Sequence, residues 1–431
     1  MRKLLFLLSA MFALGVQAQT DHWVSSWGAA TQLAMDPQLN FVRPPPREEA
    51  PATAAQAARP PANPPASPIP PVPTELSNQS VRMIVRSSVA GDSVRLQFAN
   101  AQGMPPVKFG AVHVALHGKG AAIVPGSDKP VTFGGQASVT LHPGSLVVSD
   151  PVVMPVPALT ELAVSVYLSE RTDARTTHAL GLNTTWISKG NTVAAATLAD
   201  TETNRSYFWL TGVEVRAPAN AGTIIAFGDS ITDGFSTSPD QHREWPALLA
   251  QRLQANKSTA HLGVINMGIS GNRVLRTVTG VSALARFDRD VLARSGVRWI
   301  VLLEGINDIN FTALPGSPDS EHATAESIIG GLSQLVDRAH AHGIKVMGAT
   351  LTPMGGLWLF NEKTEAMRQQ VNQWIRSSGK YDAVVDFDAA TRDPAKPTHM
   401  KAEHNSGDNI HPNDAGNAAM ADAIDLRVFT R

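Results

Sequence analysis

The 431-residue chain has no cysteine, almost no net charge, and no apolar run long enough to cross a bilayer. Lack of cysteine excludes disulfides, thiolate metal sites, a cysteine nucleophile and a lipid anchor on cysteine. Any covalent catalysis must use a hydroxyl, an amine, an imidazole or a carboxylate, and the fold must be held by core packing. The 36 Lys+Arg against 37 Asp+Glu leave a formal charge of −1, so the basic footprint of a nucleic-acid binder is missing. The same balance gives no electrostatic reason to sit on an anionic membrane. No Cys/His cluster has metal-ligand spacing, and the pairs Gly330-Gly331 and Gly355-Gly356 lack the Lys-Ser/Thr of a phosphate loop. Neither a metal nor another cofactor is expected.

The composition that remains, 43% hydrophobic and 17% charged, is that of an ordinary globular protein with room for two or three domains. Met1-Arg2-Lys3, the apolar run 4–16 and Val16-Gln17-Ala18 have the plan of a secretory signal peptide, with cleavage expected after Ala18. The run is too short for a membrane anchor. The mature chain is therefore expected to be secreted or periplasmic, without stable membrane insertion; the sequence sets no oligomeric state. Residues 44–73 hold 12 of the 30 prolines, which excludes a helix or central strand there and predicts an extended, mostly disordered loop inside the first domain.

From about residue 78 to 215 the chain alternates with period two, punctuated by Gly and Pro. Examples are 81–86, 94–98, 111–116, 162–168, 182–187 and 207–210. Many short strands with turn signals predict an all-β sandwich or jelly roll. Near Pro218 the pattern changes to apolar strands at 223–227, 264–267, 299–303, 344–350 and 383–386, alternating with helical stretches at 245–254, 323–342, 364–377 and 413–426. That alternation predicts βαβ units on a parallel sheet, whose ligands bind beyond the carboxyl ends of the strands. The expected organisation is a signal peptide at 1–18, a β-sandwich domain at 19–217 and an α/β domain at 218–431.

Three polar segments lie just after predicted strands, Gly228-Asp229-Ser230, Gly268-Ile269-Ser270-Gly271-Asn272 and Glu304-Gly305-Ile306-Asn307-Asp308; a fourth, Asp408-Asn409-Ile410-His411, precedes the last helix, and all four should gather on one edge of the sheet. Ser230 is a hydroxyl nucleophile candidate at a strand-to-helix junction, and His411 is the candidate base. Asp408, three positions earlier, can turn back onto the His411 Nδ1–H. The Ser230 N–H, the Gly271 N–H and the Asn307 amide would make a three-donor oxyanion hole. Asp308 reads as a βα-turn residue. A second Gly-Asp-Ser ends at Ser93, in a hairpin context with no helix after it, and is taken as structural. His340 and His342 suit a helix C-terminus, while His399 and His404 could be rim residues or decoy bases.

In order and spacing, these four segments resemble the blocks of the SGNH (GDSL) hydrolase superfamily, over about residues 223–428. The resemblance implies a flavodoxin-like three-layer α/β/α fold, ester hydrolysis, nucleophile Ser230, base His411, orienting Asp408, and oxyanion donors at Ser230, Asn307 and either Gly268 or Gly271. Gly271 is preferred because Ile-Ser-Gly-Asn resembles the family pattern. Ile231 stands where the family name has leucine. Secreted two-part members resemble acetylxylan and other carbohydrate esterases, so the expected reaction is deacetylation of a plant polysaccharide or oligosaccharide through an acyl-enzyme. A short-chain lipase or acylhydrolase is the alternative enzyme, and a glycan-binding module with an inactive hydrolase domain is the alternative of another class. Trp358-Leu359-Phe360 could line an acyl or sugar pocket or simply pack under a loop.

Overall fold

The computed structural model describes residues 22–33, 72–319 and 322–430. The expected leader 1–18 lies outside these residues, as does the proline-rich segment apart from Val72 and Pro73.

The N-terminal half is a sandwich of two antiparallel sheets. One orders the strands Trp23–Gly28, Leu210–Arg216, Gly91–Ala99 and Leu146–Val148, with Val152–Val156 also on Gly91–Ala99. The other runs Glu202–Asn204, Thr185–Lys189, Gln79–Arg86, Glu161–Leu168, Ala111–Leu116, Lys129–Val131. Val81, Met83 and Val85 alternate into the core between the sheets, against Leu96, Phe98, Phe109, Val164 and Trp209. The opposite face of Gln79–Arg86 is also covered, against the usual pattern of one wet face. Ile84 packs with Ala115, Ile123 and Ala163 beside Trp186. Arg82 is buried because Ser165 Oγ and the carbonyls of Ala121, Val193 and Ala195 accept from its guanidinium. The expected strand 207–210 divides at Trp209, whose φ of 57° ends Tyr207–Phe208 and begins Leu210–Arg216. The expected strand 182–187 begins only at Thr185, since Leu182 has φ 58°.

The C-terminal half is built on a parallel sheet in the order Leu262–Gly268, Gly222–Gly228, Val297–Leu303, Lys345–Ala349, Ala383–Val385. The first of these strands in sequence, Gly222–Gly228, lies between the second and third. This is the flavodoxin-like 2-1-3-4-5 order, with the topological switch point at the carboxyl end of that first strand. Helix Trp245–Gln254 packs with Asp414–Ala423, and Ala325–Ala341 packs with Glu362–Ser377. Thr324 and Asn361 open their helices with reciprocal caps, while Asn413 accepts from Gly416 N–H. Gly343, at φ 69°, follows the helix that ends at Ala341. A short helix, Ala283–Phe287, runs on into a π turn, Asp288–Leu292. The sequence pattern gave no sign of it. Among the described residues no helix is long and apolar enough to cross a membrane.

The two halves are joined by buried hydrogen bonds. Thr223 Oγ1 donates to Ser25 O at 2.9 Å, Val264 N–H to Ser88 Oγ at 2.9 Å, and Arg294 Nη1 to Gln97 Oε1 at 2.8 Å. The sandwich thus lies against the strands that carry the switch point.

Candidate active site

Ser230 is the first residue of a one-turn helix, Ser230–Asp233, directly after the central strand Gly222–Gly228. Asp229 caps this turn through Ile231 N–H. Gly228 is required by close packing, because a Cβ there would meet Thr232 Oγ1 at 2.2 Å and Leu303 O at 2.4 Å.

The Ser230 hydroxyl lies 2.8 Å from His411 Nε2, and His411 Nδ1 donates to Asp408 Oδ2 at 2.5 Å. With Nδ1 donating, Nε2 is left to accept the serine proton. Asp408 closes its turn by accepting Ile410 N–H at 3.0 Å and His411 N–H at 2.9 Å on Oδ1. Burial opposes its charge, but His411 beside it and these hydrogen bonds hold its carboxyl well below the usual carboxylate range. It therefore stays a carboxylate that fixes the imidazole. The Phe235 ring packs on His411 with centroids 4.4 Å apart. Ser238 holds that loop to Asp414, three residues past His411, through N–H and Oγ–H bonds of 2.8 and 2.6 Å.

The second and third segments meet beside the serine. Asn307 Nδ2 donates one hydrogen to Asn272 O at 2.9 Å, leaving its other amide hydrogen. Asp308 accepts Val274 N–H at 2.7 Å and Leu275 N–H at 3.1 Å, so it latches the two loops together as well as closing a turn. Burial pushes its carboxyl up to about 6, against the pull of those two hydrogen bonds. Gly271 has φ 80°, a conformation that favours glycine, and its N–H has no acceptor among the described residues. The Gly268 N–H is already donated to Asn266 Oδ1 at 2.9 Å. A Cβ on Gly268 would lie 2.3 Å from Asp233 N, so that glycine serves close packing.

Beneath the serine, the fully buried Arg286 ties three strand ends together. It donates to Gly228 O at 2.9 Å, Met267 O at 2.7 Å, Asn272 Oδ1 at 2.9 Å, Asp290 Oδ2 at 3.2 Å and Glu304 Oε1 at 3.4 Å. Its guanidinium also stacks 4.0 Å from the Phe227 ring centroid. Burial pushes the Asp229 carboxyl up to about 7, and burial together with the Asp229 charge pushes Glu304 well above its ordinary value. The floor is thus a buried polar network centred on Arg286 rather than a set of free charges. Arg286 and Asp233 escaped the sequence reading; the i,i+4 spacing of Arg286 and Asp290 is the one trace of the former.

Other sequence-flagged residues lie elsewhere. Ser93 is buried within strand Gly91–Ala99, paired with Val153. His399 Nδ1 bonds Thr398 Oγ1, and His340 Nε2 bonds Asp382. The arrangement at Ser230 can carry nucleophilic acyl transfer: a hydroxyl aligned with a base, an oriented base, and donors converging from two loops.

Residues 226–419 match the model of the GDSL-like lipase/acylhydrolase family. A search of curated proteins gave no match. Among solved structures, the chain is similar to a lipolytic protein of the G-D-S-L family from Desulfitobacterium hafniense, at 20% identity over 48% of this chain and 99% of that one, with TM-score 0.36. It is also similar to Axe2, an acetylxylan esterase from Geobacillus stearothermophilus, at 23% identity over 49% and 94%, TM-score 0.38. A third is LAE5, an alpha/beta hydrolase enzyme from the metagenome of Lake Arreo, at 23% identity over 49% and 97%, TM-score 0.38. The family match lies on the α/β half that carries the Ser230 arrangement, so that half is similar to a GDSL-like lipase/acylhydrolase domain, and the two observations together mark the chain as a carboxylic ester hydrolase.

Proposed function

We propose that the chain is a serine esterase working through an acyl-enzyme on Ser230. The carrying observation is the unbroken relay Ser230 Oγ, His411, Asp408 at the switch point of the parallel sheet. His411 Nε2 takes the Ser230 proton as Oγ attacks the ester carbonyl carbon. The carbonyl oxygen becomes an oxyanion, received by the N–H groups of Ser230 and Gly271 and the free amide hydrogen of Asn307. Collapse breaks the ester C–O bond, and His411 gives its proton to the departing alcohol. Water then attacks the acyl carbon, passing a proton to His411, and release of the acid returns that proton to Ser230. Asp408 stays ionised throughout and holds the imidazole in the productive tautomer.

The substrate we propose is an acetylated plant polysaccharide or oligosaccharide. The export pattern at 1–18, the appended sandwich and the near-zero charge favour a neutral extracellular polymer. Trp358, 38% exposed, adds an aromatic surface that suits the apolar face of a sugar ring. Its loop is held to the Asp408 loop by Asn409 Nδ2, which donates to Gly356 O at 3.1 Å. On this reading the mature chain acts outside the cytoplasm, and N-terminal sequencing of exported protein should begin at Gln19.

The test is turnover of a chromogenic acetyl ester by Ser230→Ala, expected to fall by roughly four to six orders of magnitude. Undiminished turnover would overturn the assignment. Acetate release from acetylated polysaccharides, with a sharp loss of rate beyond acetyl, supports the substrate. Rates that rise with acyl length would instead identify a lipid acylhydrolase.

A further inference from the structure

His178 lies on the short strand Thr176–His178 of the sandwich half and is almost fully buried against the catalytic half. Its three polar neighbours are all acceptors: Ala30 O at 2.9 Å from Nδ1, and Leu180 O at 3.1 Å and Asp233 Oδ1 at 2.9 Å from Nε2. A neutral imidazole has one N–H and one bare lone pair, which would point at an oxygen whichever tautomer formed. Only the imidazolium satisfies both sides. The groups around it agree. Tyr207 stacks beside the ring at 6.2 Å, and burial raises its hydroxyl far above the usual range, so it supplies no negative charge. Arg86, His242 and Glu244 line the same cavity of about 70 Å³ between the halves. His242 is engaged by Glu161 at 2.6 Å, and burial raises the Glu244 carboxyl, so Asp233 is the acceptor that faces His178 directly. Burial works against a charge on His178, but Asp233 and the two carbonyls outweigh it and raise the imidazole above its ordinary value.

Asp233 connects this ring to the reaction centre. It is the last residue of the turn that begins with Ser230, and its N–H donates to Asp229 O at 2.8 Å. Its Oδ2 accepts both Ser270 N–H at 2.9 Å and Ser270 Oγ–H at 2.8 Å. Ser270 immediately precedes Gly271. One carboxylate thus clamps the nucleophile turn and the oxyanion turn together, and a residue of the other half clamps the carboxylate.

We propose that His178 is a positioning residue of the ester-hydrolysing site, contributed by the sandwich half, whose imidazolium holds Asp233 so that Ser270 and the Gly271 N–H keep their place. The inference rests on the Ser230 reading above. It also gives the sandwich a part in the chemistry: it completes the support of the oxyanion turn.

The test uses the full chain. In His178→Gln, kcat on a chromogenic acetyl ester should fall by roughly 10- to 100-fold, as for a reacting group displaced by about an ångström. KM should stay within about threefold, because no substrate contact is removed. Asp233→Asn and Ser270→Ala should lower kcat in the same way. Thr184→Val removes a bond to Asp240 across the same interface and should lower the melting temperature without lowering kcat. In the parent protein, nitrogen-15 NMR of labelled histidine should show His178 carrying protons on both ring nitrogens at pH 6.5, the ordinary imidazole value above which it is raised. This measurement needs no variant to fold. A singly protonated His178 at that pH, a kcat of His178→Gln within twofold of the parent, or a loss confined to KM would overturn the proposal. Full activity in Ser230→Ala would instead overturn the reading beneath it, so the two failures are distinguishable.

Discussion

Replacing Arg286 with Met probes the floor of the site. Arg286 has no exposed side-chain surface and donates to two strand-end carbonyls, an amide and two acids. Methionine keeps much of the apolar stem against Phe227 but removes every donor. Gly228 O and Met267 O then each lose one buried donor, worth about 0.5–1.5 kcal/mol apiece, with Gly228 O keeping the Ile269 N–H at 3.0 Å. Asp290 retains Arg289, at 2.7 and 2.9 Å, so the broken ion pair falls toward the lower end of the usual ~3–5 kcal/mol for a buried pair. Taking about 3–5 kcal/mol for the whole substitution, the melting temperature should drop by roughly 6–20 °C. Activity should fall too, because Asn272 loses the Arg286 Nε–H while its own carbonyl accepts from Asn307. Turnover measured well below the variant's melting point should be down by about tenfold or more. Arg286→Lys should recover little, since an ammonium cannot span these acceptors as a planar guanidinium does. Differential scanning calorimetry with steady-state kinetics checks both numbers. A melting temperature within 2 °C and a kcat within twofold of the parent would refute the view that Arg286 holds the three strand ends.

Three further outcomes are expected. Asn307→Ala should lower kcat by about 100- to 1000-fold with little change in KM, as removal of an oxyanion donor does; unchanged kcat on an acetyl ester would remove Asn307 from the hole. Ser93→Ala should leave kcat at the parent level, and a loss as deep as that of Ser230→Ala would mean that the wrong Gly-Asp-Ser had been assigned. Glu161→Gln should loosen the join between the halves in a pH-dependent way. His117 and His242 donate to Glu161 and hold its carboxyl below the usual range, so its contribution is present above the unfolded value of 4.5 and is lost as pH falls through the folded one. His117 is raised despite its burial, through its bonds to Glu161 and Gly120 O, so its contribution is complete below the unfolded value of 6.5 and is lost as pH rises through the folded one. The melting difference between parent and Glu161→Gln should therefore be largest between about pH 4.5 and 6.5; a difference flat from pH 4 to 9 would contradict this coupling.

The candidate catalytic segments were legible because each packs its chemistry into a few consecutive residues, and because the change from period two to alternating strands and helices sets three of them at strand ends. Helix 245–254 was read to its boundaries from its amphipathic spacing. The π turn after Phe287 was not, because Ala-Arg-Phe-Asp-Arg-Asp looks like a solvated charged stretch, whereas its Arg286 and Asp290 pair with each other and with strand ends in the interior. Arg82, between Val81 and Met83, has the pattern of a residue on a wet strand face, but loop carbonyls satisfy it in the interior. Trp209 breaks its strand by a backbone conformation that the local sequence does not announce. His178 was invisible because its meaning depends on Asp233, 55 positions away and in the other half. Local patterns reveal elements and short motifs; the polar groups that couple distant segments are seen only once the chain is folded.

Acyl transfer to Ser230 is measured directly by rapid quench of the enzyme with an acetyl ester followed by peptide mass spectrometry. A transient acetyl group is expected on the Ser230 peptide and is absent in Ser230→Ala. Acetyl on any other residue, or turnover that persists in Ser230→Ala, would overturn the role given to Ser230.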